Sequence, residues 1–109
     1  MGAICFAPRL YAQEIVVFEL TRTTVRRVDL GAEEPDHKLT LVTVWLTEAG
    51  TAMLKRLTTD NIGNGLVIAL PDGRQFGPNR IEKPSTGGKL GMVLPSDAAL
   101  DLANAINEV

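Results

Sequence analysis

One segment of the sequence, Leu39–Leu46, constrains the fold more than any other. Its residues, Leu-Thr-Leu-Val-Thr-Val-Trp-Leu, are apolar or β-branched on both alternating sides, a pattern typical of a central strand that a helix covers on one side. Thr47 follows at once, and its hydroxyl can accept a hydrogen bond from the first turn of a helix. Glu48 then places an acid where the helix dipole favours one. The sequence therefore predicts a sheet layer and a helix layer that share one hydrophobic interior.

The helix predicted after Thr47 carries one apolar stripe. Residues at three- and four-residue spacing form it: Ala49, Met53 and Leu57, and more loosely Leu54 and Ile62. Gly63-Asn64-Gly65 is predicted to end the helix, because these residues accept the left-handed backbone that a C-cap needs.

Two strands are predicted before Leu39. Residues 14–20 are rich in Ile, Val and Phe, and residues 21–28 continue with β-branched residues between arginines. Both compositions favour strands, and the arginines indicate that the second strand is exposed or lies at a sheet edge. Residues 31–38 contain Pro35 and show no periodicity, so they are predicted to form a loop.

The second half of the chain predicts three more strands, at residues 66–70, 74–83 and 89–94. Gly77-Pro78 interrupts the middle one, and because a proline cannot donate to a ladder, we expect a bulge or an edge position there. A last helix is predicted from a Ser96 cap to Asn107, with a stripe of Ala99, Leu102, Ala103 and Ile106. The order β-β-loop-β-α-β-β-β-α predicts an α+β fold, a mainly antiparallel sheet with two helices packed on one face.

The composition limits the classes of function. The chain has 109 residues, the size of one domain. Its net charge of -2 provides no basic excess, so a nucleic-acid partner is not expected. No apolar run approaches the ~20 residues of a membrane-spanning helix. We therefore expect a domain that does not itself cross a membrane.

Residues 1–12 differ from the rest, since they are mostly apolar and end in the small residue Ala12. They are interpreted as the remnant of an export signal, which predicts a periplasmic or otherwise exported protein. The alternatives are a disordered terminus or a first strand that packs on the domain. Cys5, the single cysteine, lies in this segment, so residues 13–109 form a domain without a disulfide.

Several turn and cap motifs follow one another from Leu39 onward: Leu46-Thr47-Glu48-Ala49-Gly50, Leu57-Thr58-Thr59-Asp60-Asn61-Ile62-Gly63, Leu66-Val67-Ile68-Ala69-Leu70 with Asp72-Gly73, Gly77-Pro78, Gly87-Gly88, and Ser96 to Ile106. In this order they resemble the head subdomain of the first periplasmic domain of SecD, the accessory subunit of the bacterial protein-export translocase. The resemblance covers about 70 residues. It implies a non-enzymatic module that contacts polypeptide outside the membrane.

No residue pattern indicates catalysis or a cofactor. His37, the only histidine, lies among acids but lacks the second ligand element that a metal site needs. Ser85 has only Lys83 or Lys89 as a conceivable base, and turn chemistry explains it better. Gly63-Asn64-Gly65 follows a helix, whereas a phosphate loop precedes one. We expect no catalytic, cofactor-binding or metal-binding residues, and no enzymatic activity.

The sequence leaves three kinds of binding open. An extended peptide is expected to add to a sheet edge, at residues 21–28 or 74–83. The alternatives are a small ligand in a pocket lined by Met53, Leu57 and Trp45, and a structural or inhibitory role in an envelope assembly. Trp45 and Phe76 are predicted to be core residues, because aromatics on the strands of a small domain are usually buried.

Overall fold

The structure, a computed structural model, describes residues 14–107, which form six strands and two helices. In chain order they are β1 (Ile15–Glu19), β2 (Val25–Glu34), β3 (Leu39–Leu46), α1 (Glu48–Thr59), β4 (Gly65–Ala69), β5 (Gln75–Arg80), β6 (Lys89–Pro95) and α2 (Ser96–Asn107). The predicted element order and the α+β class are confirmed. Residues 1–12, to which the export-signal prediction applies, lie outside the described part of the chain.

The described strands divide into two three-stranded sheets, where the sequence predicted one. Sheet I has the order β1-β4-β5, with β1 parallel to β4, and sheet II is the antiparallel set β2-β3-β6. The break falls at residues 21–24, which form a turn instead of the start of a strand. In that turn Val25 N donates to Thr21 O at 2.8 Å, which directs the chain out of sheet I and into sheet II.

β3 is the central strand of sheet II, as its sequence predicted. Val42, Val44 and Leu46 are buried on its inner side, which α2 covers. The predicted stripe of α2 is buried there: Ala99, Leu102, Ala103 and Ile106. The alternating residues of β3 and the helically spaced residues of α2 thus pack together in a single core.

The first turn of α1 lies against the backbone of the turn before β2. Thr47 is the N-cap, and its hydroxyl accepts from Gly50 N at 2.9 Å. A Cβ added at Gly50 would lie 2.0 Å from Thr24 O, so only glycine allows this approach. Both contacts fix the rotation of the helix about its axis.

That rotation corrects the predicted stripe of α1. The buried positions are Gly50, Leu54 and Thr58, while Met53 is 53% exposed and Leu57 is partly buried. Once Gly50 faces the interior, the residues four and eight positions later face it too. Met53 precedes Leu54 by one residue, about 100° around the helix, and therefore points outward.

The ends of both helices differ in detail from the predictions. α1 ends at Thr59 with the right-handed residue Asp60 as its C-cap, and Gly63, at φ 91°, turns the chain toward β4 instead of capping the helix. Ser96 is the first residue of α2, and its hydroxyl pairs with the Thr40 hydroxyl at 2.7 Å.

Two further segments complete the fold. β2 continues through Glu34, so the predicted loop at residues 31–38 shrinks to the turn of residues 35–38. The apolar periodicity is lost there because a register shift lies between Leu30 and Glu33. β5 is an edge strand with a cis Gly77-Pro78 bond opposite a register shift, which confirms the predicted bulge or edge.

Candidate functional site

β1 presents an open edge of sheet I. At both ends of β1 the residues that bond to β4 and its flank are even-numbered. Gly65 N donates to Glu14 O, and Leu20 N donates to Ala69 O, both at 2.9 Å. Main-chain groups alternate in direction along a strand. The N–H and C=O groups of Ile15, Val17 and Glu19 therefore point away from β4. Within residues 14–107 no strand pairs with that side of β1.

The side chains beside this edge are apolar and exposed. Ile15 is 51% exposed and Val17 is 42% exposed, and both lie on the side of β1 opposite the buried Phe18. Met53 of α1 is also exposed and lines the same depression as Val17. A strand edge that is bare in its main chain and apolar in its side chains is unusual in a natural sheet, where edges are generally charged, bulged or covered.

A depression of about 330 Å³ lies between β1 and α1, and we call it the β1 groove. Its lining consists of three strand residues, three threonines of the following turn and two helix residues: Val17, Phe18, Glu19, Thr21, Thr23, Thr24, Met53 and Leu57. Glu19 is the one charged side chain in that lining. The groove is thus an apolar trough with a single acid and a polar end.

The polar end of the β1 groove consists of threonines that hydrogen-bond mainly to groups within residues 19–24. Thr24 Oγ1 donates to Glu19 O at 2.8 Å and accepts from Thr21 N at 3.0 Å. The bond to Glu19 O also confirms that this carbonyl points away from β4. It leaves the main-chain groups of Ile15 and Val17 as the open part of the edge.

The two edges named from the sequence are less suited to a peptide. Residues 21–24 are a turn, and the β2 edge beyond them is met by α2, where Asn107 bonds both main-chain groups of Val28. In β5 Pro78 has no N–H to donate, and a register shift also interrupts the edge. The β1 edge was missed by sequence reasoning. Its signal is the alternation that places Ile15 and Val17 on the same side as the acid Glu19.

Trp45 corrects the prediction that it is a core residue. It shares the outer side of β3 with Leu41 and Thr43, and its Nε1 donates to Asp29 Oδ2 at 2.8 Å. Three cations lie near its ring centroid, Arg26 at 5.8 Å, Arg27 at 5.0 Å and Lys89 at 5.3 Å. Met53 and Leu57 do line a groove, as expected for a ligand pocket, but Trp45 is not part of that lining. Phe76 packs against the core as predicted.

The candidates for metal binding and catalysis lie in separate places. His37 Nδ1 contacts the Glu34 carboxylate in the exposed turn before β3. Among residues 14–107 no group of three or more His, Cys, Asp or Glu side chains is placed to hold a metal ion. Ser85 lies between β5 and β6, where its N–H donates to Thr58 Oγ1 at 2.9 Å.

An exposed ion-pair cluster joins the β4–β5 turn to α2. Arg74 contacts Asp72 at 2.7 Å, Asp101 at 2.8 Å and Asp97 at 3.5 Å. Hydrogen bonds from Arg74 hold the pKa of Asp72 below its ordinary value of 3.8, and Asp72 in turn raises the pKa of Arg74. One arginine serving three carboxylates is a tether between elements.

Comparison with protein-family models, curated proteins and solved structures finds no match for this chain. In the described part of the chain, neither helix combines the length and the apolar character needed to cross a membrane.

Proposed function

We propose that this domain is a non-enzymatic, exported module that binds an extended polypeptide segment along the open edge of β1. The observation that carries the proposal is the outward direction of the Ile15 and Val17 main-chain groups beside the apolar β1 groove. A peptide that adds as a further strand exchanges hydrogen bonds with these groups, a mode of recognition that depends little on peptide sequence.

Side chains of the added strand supply the selectivity. Every second side chain points to the same side of a sheet, so one or two peptide residues enter the groove between Val17, Met53 and Leu57. Met53 is unbranched and adapts to different apolar side chains. Glu19 at the same groove favours a basic residue nearby. The preferred ligand is therefore an unfolded segment with alternating apolar residues and a positive charge.

The expected affinity is modest. Each new main-chain hydrogen bond contributes about 0.5–1.5 kcal/mol net, and each buried apolar side chain contributes about 1.5–3 kcal/mol. Ordering the peptide and its loss of free motion offset most of this gain. We expect a dissociation constant of about 10–100 µM.

The class of ligand and the compartment rest on the sequence. The order of turn motifs resembles the SecD head, which implies contact with polypeptide outside the membrane, and residues 1–12 are interpreted as part of an export signal. The bare β1 edge supports polypeptide as the ligand class on independent physical grounds, because main-chain recognition suits a partner of variable sequence.

The test is a titration of the ¹⁵N-labelled domain with extended peptides of alternating apolar and basic residues. We expect amide shifts confined to β1 and to Met53 and Leu57. In the variant Val17→Pro the outward N–H is lost while the β4 ladder, which uses even-numbered residues, is kept. Binding should weaken by about tenfold or more in this variant, since 1.4 kcal/mol corresponds to a factor of ten.

The matched control is Val17→Thr, which preserves the N–H and the β-branched shape and should retain binding. A peptide in which alternate backbone nitrogens are methylated should also fail to bind. Equal affinity of the two Val17 variants for peptide would refute strand addition at β1.

A small apolar ligand is the second candidate, because the β1 groove has the volume of a modest ligand site, at about 330 Å³. Such a ligand needs the groove and not the strand edge. Thermal stabilisation by an apolar compound that is equal in wild type and Val17→Pro, but absent in Met53→Gln, would favour this function over peptide binding.

A further inference from the structure

The outer face of sheet II, the side opposite α2, is a second surface with a distinct charge pattern. At one end stand Trp45 and the cations Arg26, Arg27 and Lys89. A register shift between Val25 and Arg27 places two arginines opposite one tryptophan. Asp29 bonds both Trp45 and Arg27, at 2.8 Å and 3.3 Å, and is the only acid paired with this cluster among the described residues. Three cations against one carboxylate make this end positive.

The opposite end of the same face is acidic. A depression of about 380 Å³ lies there, lined by Ala32, Glu33, Glu34, Pro35, Leu39, Leu41 and Val93. Leu41 and Val93 are exposed, and they face each other across the β3–β6 pair. The turn of residues 35–38 adds Asp36 and Lys38 to this end. By register Glu34 lies opposite Leu39 on this outer face, whereas Glu33 lies opposite Thr40 on the α2 side. Glu34 and Asp36 against Lys38 make this end negative, and two leucines and a valine give it an apolar floor.

The middle of the face is flat. Thr43 is paired with Gly91 of β6 on one side and with Asp29 of β2 on the other. A Cβ added at Gly91 would meet no atom within 4 Å, so space lies open above the strand. Small residues at this position allow another flat surface to approach the sheet closely.

We propose that the outer face of sheet II binds a second copy of this chain, face to face about a two-fold axis near Thr43. Rotation about an axis in the plane of the face and perpendicular to the strands reverses the strand direction. It therefore sets the positive end of each copy over the acidic depression of the other. Leu41 and Trp45 are four residues apart, about 13 Å along the strand, so the axis lies midway between them. An isologous pairing requires this self-complementarity.

The charge pattern favours a second copy over a polyanion. A nucleic acid or an anionic membrane placed on this face would meet Glu34 and Asp36 at one end, and the whole chain carries a net charge of -2. A copy of the chain supplies matching acids for the cations and matching cations for the acids. A second copy therefore satisfies both ends.

The size of the face sets the strength of the pairing. Three strands about 4.8 Å apart and about seven residues long give roughly 340 Å² per copy, less than half of a standard interface. We therefore expect association in the range of about 0.1–1 mM, weakened by salt because most of the attraction is between exposed charges.

The experiment is a charge exchange between two variants, followed by sedimentation equilibrium at several concentrations. In Arg26→Glu with Lys89→Glu both ends of the face are acidic, and in Glu34→Lys with Asp36→Lys both ends are basic. We expect the wild type to dimerise and each variant alone to remain monomeric. An equimolar mixture of the two variants should dimerise again. This recovery is a result that misfolding cannot produce.

A steric variant provides an independent check. Gly91→Gln fits the monomer, because the added side chain points into open space, and it should weaken association by about tenfold or more, a factor that 1.4 kcal/mol of lost contact produces. A wild type that stays monomeric at millimolar concentration would overturn the proposal. So would a mixture that fails to dimerise. Binding of the monomer to anionic vesicles or to a single-stranded oligonucleotide through Lys89 would assign the positive end to that partner and overturn the proposal as well.

Discussion

The side-chain amide of Asn107 pairs with both main-chain groups of Val28. Val28 N donates to Asn107 Oδ1 at 3.0 Å, and Asn107 Nδ2 donates to Val28 O at 2.7 Å. The amide thus makes the two bonds that a neighbouring strand would make at this point of β2. The last residue of α2 closes a sheet edge that would otherwise be open to another chain.

Asn107→Ala is therefore expected to destabilise the domain and to expose the β2 edge. Asn107 is itself exposed, but Val28 is buried, so the loss of these two hydrogen bonds costs about 1–2 kcal/mol of unfolding free energy, measured by urea denaturation. Aggregation on prolonged heating should also increase. Asn104→Ala, at an exposed position on the same helix, serves as the control and should change neither quantity. Equal stability of the two variants would contradict the pairing.

Gly50→Ala tests the close approach of α1 to the turn before β2. The new Cβ would lie 2.0 Å from Thr24 O, so either the helix or the turn must move. Alanine normally favours a helix over glycine by about 1 kcal/mol; here we expect a loss of about 3 kcal/mol or more, which is the scale of severe overpacking. Thermal unfolding measures the effect. Gly87→Ala, which has open space around it, should be close to neutral.

The rotation of α1 predicts opposite results at two adjacent residues. Leu54 is 1% exposed and Met53 is 53% exposed. Leu54→Ala should therefore lower the free energy of unfolding by about 2–5 kcal/mol, whereas Met53→Ala should change it by about 0.5 kcal/mol or less, as at surface sites. Chemical denaturation of both variants distinguishes this orientation from one that buries Met53.

The Arg74 cluster predicts a small loss of stability in acid. The pKa of Asp72 is lowered in the folded state by hydrogen bonds from Arg74, so the ionised carboxylate is the form that the fold favours. Its contribution is present above the ordinary pKa of the side chain and is lost as the pH falls through the lowered, folded-state pKa. Unfolding curves in that acid range should show this step in wild type and a smaller step in Arg74→Gln. Identical steps would contradict the assignment.

The order of elements was predictable because each element is specified locally. Alternation in Leu39–Leu46, the Thr47 cap and the stripe of α2 all arise from neighbouring residues, and the structure contains each of them. Local patterns of this kind carry over into the folded domain because they agree with the packing around them.

The features that the sequence left open depend on contacts between distant residues. The rotation of α1 is fixed by Gly50 against Thr24, and a glycine inside a helical pattern is the one local sign of that contact. Trp45 lies on a strand whose two faces are both apolar, so periodicity alone does not tell the inner from the outer side. The open edge of β1 follows from its parallel pairing with β4, which residues far apart in sequence create.

Thr47 connects the end of the β1 groove to the start of α1 through a single oxygen. Its hydroxyl donates to Thr23 O at 2.6 Å and accepts from Gly50 N at 2.9 Å. One side chain therefore bonds both the turn of residues 21–24 and the first turn of α1. A ligand that displaces the turn of residues 21–24 would therefore disturb the hydrogen bonds of the Thr47 hydroxyl. The exchange rate of the Gly50 amide proton with deuterated solvent should therefore change when a ligand occupies the β1 groove, although Gly50 itself lies in α1.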